Sequence, residues 1–205
     1  RKKDCISMKY SDRYTAMDRE ALMQAVQMRM SERRFKHVLG VEETAIALAE
    51  QFGESPEKAS IAALTHDYAK ERSDEEFQLA IERGKYENKT ELLKYGNAIW
   101  HGLVGAEFVA RELNISDEEI LNAIRLHTTG AAEMTLLDKI IYVADYIEPG
   151  RSFPGVEDAR VIALRDLDQA VAFETKHTLA HLIEAENPVY PKTIETYNRW
   201  VAGIK

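Results

Sequence analysis

Four histidines and two aspartates could together do chemistry in this chain: in order, His37, His66-Asp67, His101, His127 and Asp145. Imidazole and carboxylate are ligands that suit Fe, Mn, Co, Ni or Zn. Asp67 is suited to bridging, because each of its carboxylate oxygens can serve a different ion. The six residues are enough for two ions sharing Asp67, with positions left for water and substrate. Two cations about 3.5–4 Å apart activate water and neutralise phosphoryl oxygens, so the chemistry would be hydrolysis at phosphorus. Asp145 lies in the apolar stretch Ile140-Ile141-Tyr142-Val143-Ala144-Asp145-Tyr146-Ile147. A carboxylate there is costly to desolvate unless a cation pairs with it.

No member of the set carries this reading alone. A His-Asp dipeptide arises by chance, a single histidine is more often packed or capping than ligating, and Asp145 could pair with Arg125 or Lys139. The constellation is what counts, since polar groups concentrated on an apolar scaffold need partners. A competing pair, His177 and His181, shares one helix face, but Thr178 stands where a zinc protease needs its glutamate; a surface or core-edge helix accounts for it.

The elements that must position these residues read as helices almost throughout. Leu22, Ala25, Val26 and Met30 recur at helical spacing and predict a first helix over 18–31. A second runs from about Arg34 until Gly53 stops it, and Ser55-Pro56 opens a third that ends near Tyr68. Residues 73–83 read as a charged, mostly exposed helix and 84–96 as a loop with at most a short turn. Helices are expected over 99–113 and over 116–127, the latter opened by a Ser116…Glu119 capping box. Thr135 starts another that runs to Pro149-Gly150; two more fit 156–185 with a kink, and a last one fits 191–202. No alternating β-branched run appears. The fold class is therefore all-α, one helical domain over 14–205 following a flexible segment, 1–13.

Composition bounds the function. The chain has 205 residues, 45% apolar and 30% charged, enough to bury a core without cross-links. Its 27 Lys+Arg against 35 Asp+Glu give a net charge of −8, which argues against broad nucleic-acid binding. A small phosphorylated ligand in a local basic pocket remains compatible. The single cysteine, Cys5, points to a reducing, cytoplasmic setting. No apolar run approaches the roughly 18 residues a membrane span needs. Either a monomer or a homodimer is compatible with these numbers.

The order His…His-Asp…His…His…Asp on an all-α chain resembles the HD-domain metal-dependent phosphohydrolase superfamily. The two histidines between the His-Asp pair and the last Asp resemble its two-metal branch, with a dinuclear site in the core of the bundle. Local strings narrow this: Ala63-Leu64-Thr65-His66-Asp67-Tyr68-Ala69-Lys70, Ile99-Trp100-His101-Gly102 and Leu126-His127-Thr128-Thr129-Gly130 look like those of bacterial YqeK-type hydrolases. So do the strings at 31–41, 144–151 and 191–198. The resemblance spans about 18–202 and implies a symmetrical bis(5′-nucleosyl)-tetraphosphatase that splits diadenosine tetraphosphate (Ap4A) into two ADP with iron at its site.

On that pattern His37, His66, Asp67 and Asp145 hold one ion, and Asp67, His101 and His127 a second; Mn, Co, Zn or Ni would also suit these ligands. Catalysis would rest on Asp67, Lys70 and Arg34. Nucleotide contacts would fall on Arg34, Asp67, His101, Gly102, Leu103, Val104, His127, Tyr146, Arg151, Pro191, Lys192, Thr193, Ile194, Glu195 and Thr196. Arginine forks suit bidentate phosphate contacts, whereas Lys70 would act as a point charge. Gly102 would let backbone approach a phosphate or would be a packing glycine, and Tyr146 would stack on a base or belong to the core. Two other readings stay open: an HD hydrolase for another nucleotide or a cyclic phosphodiester, and a metal-containing nucleotide-binding or signalling module with little turnover.

Overall fold

Every regular element among the described residues is an α-helix. The structure, a computed structural model, describes residues 8–204. Residues 1–7, with Cys5 and most of the segment expected to be flexible, lie outside the described residues. In the remainder of that segment Tyr10 is buried, its hydroxyl 2.6 Å from Ser60 Oγ.

The chain enters α1 (Arg19–Gln27), α2 (Glu32–Phe52) and α3 (Pro56–Thr65). Asp18, Ser31 and Ser55 cap these helices by accepting from the N–H groups of Ala21, Arg34 and Lys58. Gly53 ends α2 with φ +83°, a left-handed residue that glycine adopts without strain. Then come α4 (Asp74–Arg83), a single turn α5 (Lys89–Leu92), α6 (Asn97–Leu103) and α7 (Gly105–Leu113). The second half holds α8 (Glu118–Leu126), α9 (Leu136–Ile147), α10 (Val156–Ala163), α11 (Leu167–Glu184) and α12 (Pro191–Trp200). No helix among them is long and apolar enough to cross a membrane.

Four helices make the centre: α2 lies against α3 and α9, and α8 closes the set against both. Their facing sides supply the core, with Val38, Val41, Ala45, Ile61, Leu64, Ile120, Ile124, Leu137, Ile140 and Ile141 all fully buried. Burying that much aliphatic surface, at about 25 cal/mol per Å², fixes the four backbones firmly enough to aim the polar side chains between them. A second layer of α10, α11 and α12 covers the outer side of α9 and continues along α11.

Two expectations need correction. The helix predicted over 99–113 is two, α6 and α7, turning at Val104. The cap of α8 is Asp117, whose carboxylate accepts from Ile120 N, one residue beyond the Ser116 box; both residue types cap well, and local pattern does not choose between neighbours. The charged helix α4 is mostly exposed, as expected, and is anchored by Phe77 and Ile81, which are fully buried; Phe77 packs edge-on against Phe108 at 5.7 Å.

Candidate metal centre

Six side chains from five helices and one following turn meet between the central helices. His37 stands in the second turn of α2, His66 at the C-cap of α3 with Asp67 in the turn beyond, and His101 in α6. His127 is the C-cap of α8, and Asp145 projects from α9. Helix ends bring the imidazoles inward because each ring bonds a carbonyl of its own preceding turn. His66 Nδ1 lies 2.6 Å from Ala63 O, His101 Nδ1 2.7 Å from Asn97 O and His127 Nδ1 2.7 Å from Ile124 O. A carbonyl only accepts, so each Nδ1 carries a proton and each Nε2 is the atom turned toward the centre, able to bind a metal once unprotonated. His37 obeys the same rule with a different partner: its Nδ1 lies 3.1 Å from Glu148 Oε1.

Asp67 divides the Nε2 atoms into two sets. Its Oδ2 lies 3.7 Å from His37 Nε2 and 3.6 Å from His66 Nε2, and its Oδ1 lies 3.5 Å from both His101 Nε2 and His127 Nε2. Asp145 Oδ1 joins the first set, 3.0 Å from His37 Nε2 and 3.7 Å from His66 Nε2. Most of these separations are too long for hydrogen bonds. They lie nearer the ligand–ligand edges, roughly 3.0–3.4 Å, of a tetrahedral or octahedral shell with about 2.1 Å bonds, and all but the His37–Asp145 pair exceed those edges by a few tenths of an ångström. His37 Nε2 and His66 Nε2 are buried with no hydrogen-bond partner. His101 Nε2 and His127 Nε2 face each other at 2.9 Å, two lone pairs that repel unless a cation or proton intervenes. The arrangement fits divalent metal.

Charge is strongly coupled here. Burial disfavours a charged His66, but the negative charges of Asp67 and Asp145 outweigh it and raise its pKa to about 9. Burial also opposes ionised Asp67 and Asp145, yet the surrounding histidines hold both well below the usual carboxylate range. His101 goes the other way: burial, with His127 beside it, lowers it to about 3.

Cations stand at the rim. Arg34 Nη1 reaches Asp67 Oδ2 at 2.8 Å, and Arg151 Nη2 reaches Asp145 Oδ1 at 3.0 Å. Lys70 Nζ is 3.3 Å from His101 Nδ1, and burial lowers its pKa against the pull of Asp67. Gly102 is a packing glycine: a Cβ there would meet Ile124 O at 3.1 Å and His127 Nδ1 at 3.2 Å, so its absence lets α6 approach α8 and His101 reach His127. Leu103 is half-buried and Val104 buried. Tyr146 packs its ring on Phe153 at 4.7 Å.

The 191–196 segment is the first turn and a half of α12. Thr196 is fully buried and donates to Thr129 O at 2.8 Å, which places α12 on the His101 and His127 side of the cluster. Thr193 is buried, Lys192 is half-buried, and Pro191, Ile194 and Glu195 are exposed. His177 and His181 are exposed on α11, and the His177 ring stacks on Phe173 at 4.0 Å. They take no part in the cluster. Asp145 pairs with neither Arg125 nor Lys139, whose partners are Glu118 and Asp168.

Sequence reasoning missed Glu148 as a site residue. Its carboxylate, only 6% exposed, takes His37 with one oxygen and Gly150 N, at 2.6 Å, with the other. The signal was an acidic residue three positions after Asp145, at the end of an apolar helix. Its partner lies 111 residues away.

A helical bundle with a His-Asp pair at the centre of such a cluster defines an HD-domain protein, and the HD domain family model matches residues 34–150. Bis(5′-nucleosyl)-tetraphosphatase, symmetrical, of Bacillus subtilis is 48% identical over 187 residues, covering 91% of this chain and all of that protein. The protein of the same name from Staphylococcus aureus is 40% identical over 89% of this chain and 94% of its own length. The chain belongs to this symmetrical bis(5′-nucleosyl)-tetraphosphatase family within the HD-domain proteins. A crystal structure from Clostridium acetobutylicum, described as that of a predicted HD superfamily hydrolase involved in NAD metabolism, superposes with a TM-score of 0.81. It is 35% identical and covers 95% of this chain and 99% of that one.

Proposed function

We propose that the chain hydrolyses diadenosine tetraphosphate symmetrically to two ADP, in the cytoplasm, with His37, His66, Asp67 and Asp145 holding one iron and Asp67, His101 and His127 a second. The observation that carries this is the split of the Asp67 carboxylate between two histidine sets. Bound divalent ions supply Lewis acidity toward phosphoryl oxygens and lower the pKa of a water.

The chain's own groups do the rest. Water oxygen forms a bond to one central phosphorus, and the bond from that phosphorus to the oxygen bridging the two central phosphates breaks. The bridging oxygen leaves on the second ADP, and the proton of the water passes to solvent. No nucleophilic side chain is needed. Arg34 and Arg151, held over Asp67 and Asp145, present guanidinium forks to the polyphosphate. Lys70 adds a point charge on the His101 side. The first turns of α12 and the 101–104 segment receive one nucleoside, and Tyr146 borders it.

The test is anaerobic turnover of diadenosine tetraphosphate with Fe²⁺, Mn²⁺ or Co²⁺, products being resolved by ion exchange. Two ADP is the expected result. ATP plus AMP would overturn symmetrical attack, and no turnover with any of the three ions would overturn the substrate.

A further inference from the structure

Symmetrical cleavage places the attacked phosphorus in the middle of its substrate. Equal lengths of ligand must then extend to both sides of the metal centre. On the His101 and His127 side the neighbouring element is α12, tied in through Thr196 and Thr129. On the opposite side His37 opens into a separate cavity of about 660 Å³.

This cavity is a groove between one stripe of α2 and the turn after α9. Arg33, Lys36, Gly40 and Glu43 follow each other at spacings of three and four residues, so they share a face of the helix. Ten residues of α-helix rise about 15 Å, enough to lie along a nucleoside diphosphate. His37 and Glu148 line the groove, and Leu39 and Pro149 give it apolar surface. Ser31 closes one end, its N–H and hydroxyl each donating to Glu71 at 2.7 Å.

The cations that line the groove divide into two pairs. Arg34 and Arg151 are engaged with Asp67 and Asp145. Arg33 and Lys36 are exposed and form no ion pair among the described residues. Both sit in the first turns of α2, where the helix dipole disfavours positive charge. They add nothing to the helix and face the same cavity as a proposed metal ligand.

We infer that this groove receives the second nucleoside diphosphate half of the substrate, with Arg33 and Lys36 as its anion contacts. The inference rests on the dinucleoside tetraphosphate reading above, and wild-type turnover tests that reading separately. In the metal-loaded enzyme, Arg33→Ala combined with Lys36→Ala should raise KM for diadenosine tetraphosphate about tenfold, the loss falling on KM rather than kcat. The inhibition constant of ADP, which can bind on the α12 side without these two cations, should stay within about twofold. Glu43→Gln, which removes an anion from the exposed far end, should lower KM. An unchanged KM in the double variant, with wild type still yielding two ADP, would overturn the groove assignment alone. Equal shifts of KM and ADP inhibition would also overturn it, because the two cations would then act as a general field.

Discussion

Gly40 lies so close to Glu148 that a Cβ on the glycine would stand 2.5 Å from Oε2. The missing side chain makes room for the carboxylate that orients His37. With one oxygen on His37 Nδ1 and the other on Gly150 N, Glu148 fixes the tautomer that leaves His37 Nε2 facing Asp145. Partners of this kind are worth about 10–100-fold in metal affinity. Gly40→Ala should therefore weaken Co²⁺ binding by about that factor, read from the visible absorption of the bound ion, with helix content intact by circular dichroism. Glu148→Gln keeps one acceptor oxygen and should lose less than Glu148→Ala. Wild-type Co²⁺ affinity in Gly40→Ala would remove this role from Glu148.

Among the described residues Asp67 is the one carboxylate placed to serve both histidine sets. Asp67→Ala should lower the metal content from about two ions per chain to near zero and turnover to background. His127→Ala, which touches one set only, should retain about one ion. Metal analysis of the two purified variants separates these outcomes; equal metal loss in both would count against a shared ligand.

Much of this centre was legible because its residues carry chemistry in their types. His66-Asp67 and the three other histidines needed no geometry to be noticed, and Asp145 declared itself by its apolar neighbours. The helix starts at Asp18, Ser55 and Thr135 were legible for a local reason, a side-chain oxygen satisfying an N–H three residues on. What escaped depends on distant partners. The break at Val104 falls between Gly102 and Gly105, where α6 meets α8, and glycines inside a helical pattern do not by themselves say that the helix ends there. Glu148 reads as an ordinary helix-end acid until α2 is placed beside it. Arg33 and Lys36 read as solvated charges, and only the cavity wall gives them a common direction.

In the metal-free chain His66 is the proton-binding member of the cluster. Its folded pKa of about 9 exceeds the roughly 6.5 of an unfolded histidine. Its stabilisation is therefore complete below about pH 6.5 and is lost as pH rises through about 9. Asp67 and Asp145 act in the opposite sense: held below the usual carboxylate range, they stabilise above about pH 4 and lose this as acid protonates them. The Tm of metal-free protein should fall between pH 6.5 and 9 and should be flatter over that span with saturating Mn²⁺, because bound metal replaces the proton. Uptake of metal at neutral pH should release about one proton from this site, measurable by calorimetry in buffers of different ionisation enthalpy. Parallel Tm curves with and without Mn²⁺ would contradict the exchange.

Glu174 is a buried acid that the centre does not use, as are Glu42 and Asp138. It projects from α11 with 5% of its surface exposed, and its Oε2 has no hydrogen-bond partner. Burial, reinforced by the negative charge of Asp145 and only partly offset by Arg151, raises its pKa well above the ordinary 4.5. The folded state therefore holds a proton that the unfolded state gives up, so stability declines as pH rises above 4.5 toward the folded value. Glu174→Gln keeps the shape and removes the titration. At pH 4, where both states carry the proton, the variant should match wild type. At pH 8 it should melt about 2–4 °C higher, the shift that about 1 kcal/mol produces in a chain of this size. A variant that melts lower than wild type by the same margin at both pH values would show instead that the carboxyl makes a bond the amide cannot replace.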